Sequence, residues 1–192
     1  MDVFEAIQTR RSIGRLKPDA VSREMIEKVL ESAVHAPNHR MTEPWEFHVF
    51  VGKGRGELAR ARAELARMQA VEDGEEEELA AGRISRERKE GFRAPLIVAV
   101  ISRAGRDEIE TLENYGACCA AIQNMQLAAH ALGLATMWRT ETPAYHEYMR
   151  EFFGLSEGDM IAAYLYAGYP DMPQRPRRRA PFEQKTTWHG EA

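Results

Sequence analysis

The sequence predicts an α+β protein: a small sheet covered by helices, with one long helix at its centre. Three observations lead there. Helix-like and strand-like segments are interspersed along the chain. The strand-like runs are too few for a doubly wound sheet. The segment after Tyr115, GACCAAIQNMQLAAHALGL, is apolar nearly all round, as befits a helix buried on most sides, in a core or at an interface between copies.

Taken in order, residues 2–9 read as a short helix with Val3, Phe4 and Ile7 on one face. A second helix spans about 22–34. Ser22 is suited to cap it, Met25, Ile26, Val29, Leu30 and Ala33 form its apolar stripe, and Pro37 ends it. Residues 44–51, PWEFHVFV, read as a strand. Residues 54–90 read as helical but very polar, acidic over 72–78 and basic over 83–89. That pattern fits a solvated excursion, with a substrate lid as the alternative. Residues 95–101, PLIVAVI, form a continuous apolar run and read as a buried strand.

The central helix is expected over 109–132, closed by Gly133. A short strand at 134–138 follows. A helix at 143–153 is opened by proline in its first turn, and a last strand covers 160–167. The final stretch, 169–192, holds four prolines and the cluster Arg175, Arg177, Arg178 and Arg179, and reads as an extended arm. Neither a repeat nor a linker divides the chain. Residues 1–192 therefore read as a single domain, with 55–93 as a charged helical excursion and 169–192 as the arm.

Composition narrows the function. The chain has 192 residues, 44% of them hydrophobic, and a formal net charge of -4. That balance argues against a general nucleic-acid binder, which needs a basic surface. No apolar stretch approaches the roughly 20 residues that cross a bilayer. The opening MDVFEAIQTRRS lacks the apolar run of a signal peptide, so a cytoplasmic protein is expected. Cys118 and Cys119 are adjacent, and on a helix they point about 100° apart. They read as small buried thiols rather than a disulfide, and no second pair of ligands is spaced for zinc, so no metal is expected.

Three segments carry candidate chemistry. Arg10-Arg11-Ser12 closes the first helix. Two guanidiniums and a hydroxyl could hold a phosphate, or the arginines could simply complement the negative end of the helix. His35 and His39 are four apart, but Pro37 between them denies the helical geometry of a metal pair. They remain loop histidines, either packing against something planar or polar or lying at the surface. Trp138-Arg139-Thr140 lies just beyond a buried strand, a place where ligands are met, or where a tryptophan merely anchors. Dinucleotide, phosphate-loop and nucleophile-elbow motifs are absent, and Gly52-Lys53-Gly54-Arg55-Gly56 reads as a turn. The sequence thus offers phosphate-binding groups and little that does bond chemistry unaided, which suits a cofactor that carries the reaction.

These residues resemble the nitroreductase family, in the short-chain subgroup of NAD(P)H nitroreductases. The opening FEAIQTRRSIGRLKPDAVSREMIEKVLESAVHAPNHRMTEPWEFHVF is similar to that family's start, with its early R-R-S, a helix, an A-P-x segment and P-W-x-F. AAIQNMQLAAHALGLATMWRT resembles its central helix and following strand, and YLYAGYPDMPQRPRRRAPFEQ its last strand and basic tail. The resemblance covers most of the chain apart from about 55–93.

The resemblance implies a small, mostly antiparallel sheet and a C-terminal arm exchanged in a homodimer, with FMN between the subunits. It implies that Arg10, Arg11 and Ser12 hold the FMN phosphate and ribityl end, joined by Arg177 and Arg179. His39 matches a position that touches FMN, from the partner subunit; His35 stands where relatives often carry arginine. Trp138, Arg139 and Thr140 fall beside the flavin ring. The implied activity is ping-pong hydride transfer from NAD(P)H to a nitroaromatic, quinone or similar electron-poor small molecule. The flavin carries the chemistry, so no classical catalytic residue is expected. A dehydrogenase or dehalogenase on the same fold, or a non-catalytic FMN-binding module, are the alternatives, and neither nucleic acid nor membrane is an expected partner. One departure is Glu43, where many members have glutamine before Pro-Trp.

Overall fold

The computed structural model describes residues 1–173 and 179–190, so Arg175, Arg177 and Arg178 lie outside the described residues. The elements are α1 (Val3–Thr9), α2 (Arg23–Val34), β1 (Trp45–Val51), α3 (Arg55–Glu72), α4 (Glu77–Glu90), β2 (Leu96–Ser102), α5 (Glu108–Ala131), β3 (Ala135–Arg139), α6 (Glu147–Phe152) and β4 (Met160–Gly168). The architecture is α+β, as expected. The four strands form one antiparallel sheet in the order β1-β2-β4-β3.

Local chemistry sets the helix ends. Asp2 caps α1 by accepting from the Glu5 N–H at 2.9 Å, and Ser22 caps α2 by accepting from Met25 at 3.3 Å. Asp107 caps α5 through the Glu110 N–H at 2.8 Å. At the other end of α5, Gly133 sits at φ +79°. The Gly133 N–H donates to His130 and the Leu134 N–H to Ala129, a paired closure that needs a left-handed residue. It turns the chain directly into β3.

Helices cover both faces of the sheet, which explains the apolar run of β2, buried along its whole length. Leu96, Val98 and Val100 face α2 and α5, packing with Val29, Ile122 and Met125. Ile97, Ala99 and Ile101 face the other way, toward Leu58 and Leu65 of α3 and Phe153. A register shift between Val100 and Ile101 lets β4 present Ala162 and Ala163 consecutively to the first side, while Ile161, Tyr164 and Tyr166 face the second.

Two segments differ from expectation. The polar stretch 54–90 folds as a helical pair, and its first helix is part of the core. Leu58, Ala61 and Leu65 of α3 are buried, whereas α4 has no buried residue. The pair closes tightly, since a Cβ at Gly91 would lie 2.6 Å from the Ala59 Cα. Strong amphipathicity is missing because small alanines and a buried arginine line the inner face. The second difference concerns 143–153, which is not one helix. Pro143 belongs to a 3-10 turn (Thr142–Ala144), and α6 begins only after His146, whose ring nitrogen accepts from the Tyr148 N–H at 3.2 Å.

The N-terminal loop and the start of the tail run along each other. Lys17 N–H donates to Tyr169 O at 2.8 Å and Asp171 N–H to Arg15 O at 3.1 Å. Further on, the arm carries a short 3-10 turn (Phe182–Lys185) with Phe182 and Trp188 exposed. Among the described residues, no helix is long and apolar enough to cross a membrane.

Candidate functional site

The site begins where α1 ends. Arg10 closes the helix and the chain then extends along the edge strand β3: Ser12 bridges Thr136 in parallel, and the Ile13 N–H donates to Thr136 O at 3.0 Å. Buried Ile13 anchors this register. Arg10, Arg11 and Ser12 are thereby fixed between the edge of the sheet and the last turn of α5.

Arg10 is half-buried, and its Nη1 is buried without a hydrogen-bond partner. Burial first, then the charges of Arg11 and Arg179, hold the guanidinium below its ordinary pKa. The tail arginine Arg179 therefore lies within electrostatic reach of the first helix, far from it in sequence. Arg11 lends part of its side chain to the helix end, donating from Nη1 to Gln8 O at 2.6 Å and Arg10 O at 2.8 Å. That is the dipole-complementing role, and it coexists with the cluster. His130, on the last turn of α5, places Nε2 2.8 Å from Thr9 Oγ1. Burial pushes its pKa down, and so do Arg10 and Arg11, with Glu5 opposing. Like charges gathered around an unpartnered buried donor make a place for an anion.

Beyond this cluster, Thr136 is buried and accepts from Gln126 Nε2 at 3.4 Å. Trp138 donates from its indole to Ala162 O at 3.2 Å and packs on the α2–α5 side. Arg139 turns the other way, donating to Glu90 at 2.7 Å, contacting Glu141, and lying 5.7 Å over the Tyr166 ring. Thr140 follows, half-buried. The next residue, Glu141, sits at φ +50° and ψ 177°, a conformation that costs a side-chain-bearing residue of order 1–3 kcal/mol. This turn borders a cavity of about 480 Å³ between α3 and α4, lined among others by Arg62, Arg83, Arg86, Glu87 and Glu90.

The histidines stand apart from the arginines. His35 ends α2 with its Nε2 3.4 Å from Glu31, and its side chain is exposed. His39 lies on a 3-10 turn (His39–Met41) with its Nδ1 2.6 Å from Glu113 Oε2. The turn is strained, with Arg40, Met41 and Glu43 all at positive φ. Among the described residues, no three potential ligands are grouped to hold a metal ion.

Sequence reasoning did not single out His130, Gln126, Arg62 or Glu141. The first two lie inside the apolar helix, where one polar residue per turn is unremarked. Arg62 and Glu141 belong to charged stretches whose partners are distant in sequence.

The nitroreductase family model matches residues 7–169. The chain is similar to YdjA of Escherichia coli strain K12, 31% identical over 173 residues and 90% of each chain. It is also similar to YfhC of Bacillus subtilis strain 168, 30% identical over 95% of this chain and 92% of that one. Among solved structures, the nitroreductase-like family protein from Bacillus cereus matches with a TM-score of 0.85 at 28% identity, over 98% of this chain and 96% of that one. A chain from Desulfovibrio desulfuricans, solved in complex with FMN, matches at 26% identity with a TM-score of 0.72, covering 100% of this chain and 99% of that one. With a family match over most of its length and relatives at this identity, the chain belongs to the nitroreductase family of oxidoreductases.

Proposed function

We propose that this chain is an FMN-dependent oxidoreductase that moves electrons from NAD(P)H to nitroaromatics, quinones or similar electron-poor small molecules, working as a cytoplasmic homodimer. The observation that carries the reading is the buried, unpartnered Arg10 Nη1 with Arg11 and Arg179 near it. Three cations around an orphaned donor fit a phosphate. The NAD(P)H nitroreductase names of YdjA and YfhC, and the FMN complex of the Desulfovibrio relative, support the choice of cofactor and co-substrate.

In this reading Arg10, Arg11 and Arg179 grip the FMN phosphate, with Arg177 joining from the tail and the Ser12 hydroxyl adding a short hydrogen bond. Bound there, FMN supplies hydride transfer by turns between the nicotinamide and the acceptor. The chain supplies position and charge. The Ser12–Thr136 bridge holds the phosphate grip against the sheet edge. Trp138 stiffens β3 from behind, and Thr140 would be a neighbour of the ring. Arg10, Arg11 and Arg179 would neutralise the phosphate, at the far end of the ribityl chain from the ring. No side chain is assigned as a classical acid or base.

The dimer completes the site. Val3, Phe4 and Ile7 of α1 and Ile109 and Leu112 of α5 are each more than half exposed. Covering such side chains contributes about 1.5–3 kcal/mol apiece. Their natural occupant is a second copy, which also receives the exchanged arm through Phe182 and Trp188. His39 and His35 then reach the flavin of the partner subunit rather than their own.

The test is direct. The purified chain is expected to be yellow and to oxidise NADH or NADPH when given a nitroaromatic or quinone. A colourless chain that stays inactive after FMN is added defeats the reading.

A further inference from the structure

A chain of alternating charges runs between α3, α4 and the turn after β3. Arg62, only 1% exposed, donates from Nη2 to Glu87 at 2.6 Å and to Glu141 at 3.4 Å. Glu141 also contacts Arg139, which donates to Glu90 at 2.7 Å. Glu90 accepts from Arg93 at 2.8 Å, and Arg93 Nε lies 3.5 Å from Gly14 O. The relay thus links α3, α4 and the turn after β3 to the loop that carries Arg10–Ser12. Beneath it, the rings of Tyr164 and Tyr166 lie under the guanidiniums of Arg62 and Arg139.

Glu141 is the odd member. Glycine adopts its backbone conformation freely, while glutamate does so only under constraint. A side chain held in such a place does work that glycine cannot. Its carboxylate is the group shared by a buried arginine of α3 and the arginine that ends β3. Among the described residues, Arg62 without it keeps a single carboxylate, Glu87 of α4, and Arg139 keeps only Glu90. A buried cation stripped of part of its compensation relaxes by opening its surroundings.

We infer that Glu141 is a positioning residue: its carboxylate fixes the turn that follows β3 and docks the α3–α4 pair against it, shaping the wall of the cavity between them. The kinetic half of this inference rests on the flavin reading, since only there does the turn border the path of the electron acceptor.

The experiment uses the full chain with Glu141→Gln, which removes the charge, and Glu141→Gly, which removes both charge and strain. Hydrogen exchange is followed first with no flavin added. Amides of α4 and of residues 139–142 are expected to exchange about tenfold faster in both variants, equivalent to about 1.4 kcal/mol, while those of β2 stay unchanged. Unchanged exchange in either variant, slower exchange in Glu141→Gly, or equal acceleration in β2 overturns the inference. With FMN bound, Glu141→Gln is expected to raise KM for a quinone acceptor at least about threefold with kcat and FMN affinity little altered. A loss in kcat at constant KM also overturns it. The exchange arm stands without flavin, so a wild-type chain that binds no FMN overturns the functional reading and leaves that arm to decide.

Discussion

Replacing Arg10 by alanine is expected to weaken FMN binding while leaving the cofactor-free fold unharmed. The two effects have one origin. Without an anion, Arg10 is a half-buried cation beside Arg11 and Arg179, and one of its donors is orphaned. Burial and like charges both disfavour it there, so its removal relieves the apo chain. With the phosphate in place the same donor makes a charge-assisted hydrogen bond, worth about 1.5–3 kcal/mol. At about 1.4 kcal/mol per tenfold, the dissociation constant rises roughly 10- to 150-fold. Arg11 and Arg179 remain, so binding is weakened rather than abolished, and the loss shrinks as salt screens the cluster. Titrating apo protein into FMN and following flavin fluorescence measures the affinity, and a thermal melt of the same apo samples measures the fold. Unchanged affinity, or affinity and apo stability falling together, refutes the reasoning.

Three further outcomes follow from other parts of the structure. His130 titrates below its ordinary 6.5 because of burial and the charges of Arg10 and Arg11, so the unfolded chain takes up its proton first. Its stabilising contribution is complete above about pH 6.5 and is lost as pH falls toward the depressed value. Urea midpoints of the apo chain should drop more steeply with acid in wild type than in His130→Gln, and parallel slopes count against a depressed His130 pKa. Ile122 is fully buried between α2 and the sheet, so Ile122→Ala should cost about 2–5 kcal/mol in chemical denaturation; under about 1 kcal/mol argues against that packing. Placing aspartate at both Phe4 and Ile7 should convert a two-chain mass in light scattering to one chain. A mass that does not move takes α1 out of the dimer contact.

The legible parts of the fold were those written in local chemistry. Ser22 caps α2 because its hydroxyl reaches only three residues ahead, and Gly133 ends α5 because the left-handed closure needs glycine at that spot. The unbroken apolar run of β2 announced burial on both faces. The inner face of α3 was obscured because alanines carry little hydrophobic signal and a buried arginine reads as surface. Arg62 becomes a core residue only through Glu87 and Glu141, which sequence order keeps apart. The break at Thr142–Ala144 depends on Glu141 holding a backbone conformation that its residue type disfavours. At the site, Arg10-Arg11-Ser12 was visible as a cationic segment, and the approach of Arg179 rested on resemblance alone until folding brought the tail back. His35 and His39 meet carboxylates within one protomer, so their proposed role belongs to the assembled pair.

The most direct measurement is the location of the FMN phosphate in a crystal structure of the flavin-bound chain. The expected result is a phosphate oxygen within hydrogen-bonding distance of Arg10 Nη1, with Arg11 and Arg179 around it and the ring at the seam between two copies. A phosphate held by other residues, or a flavin enclosed within a single chain, contradicts it.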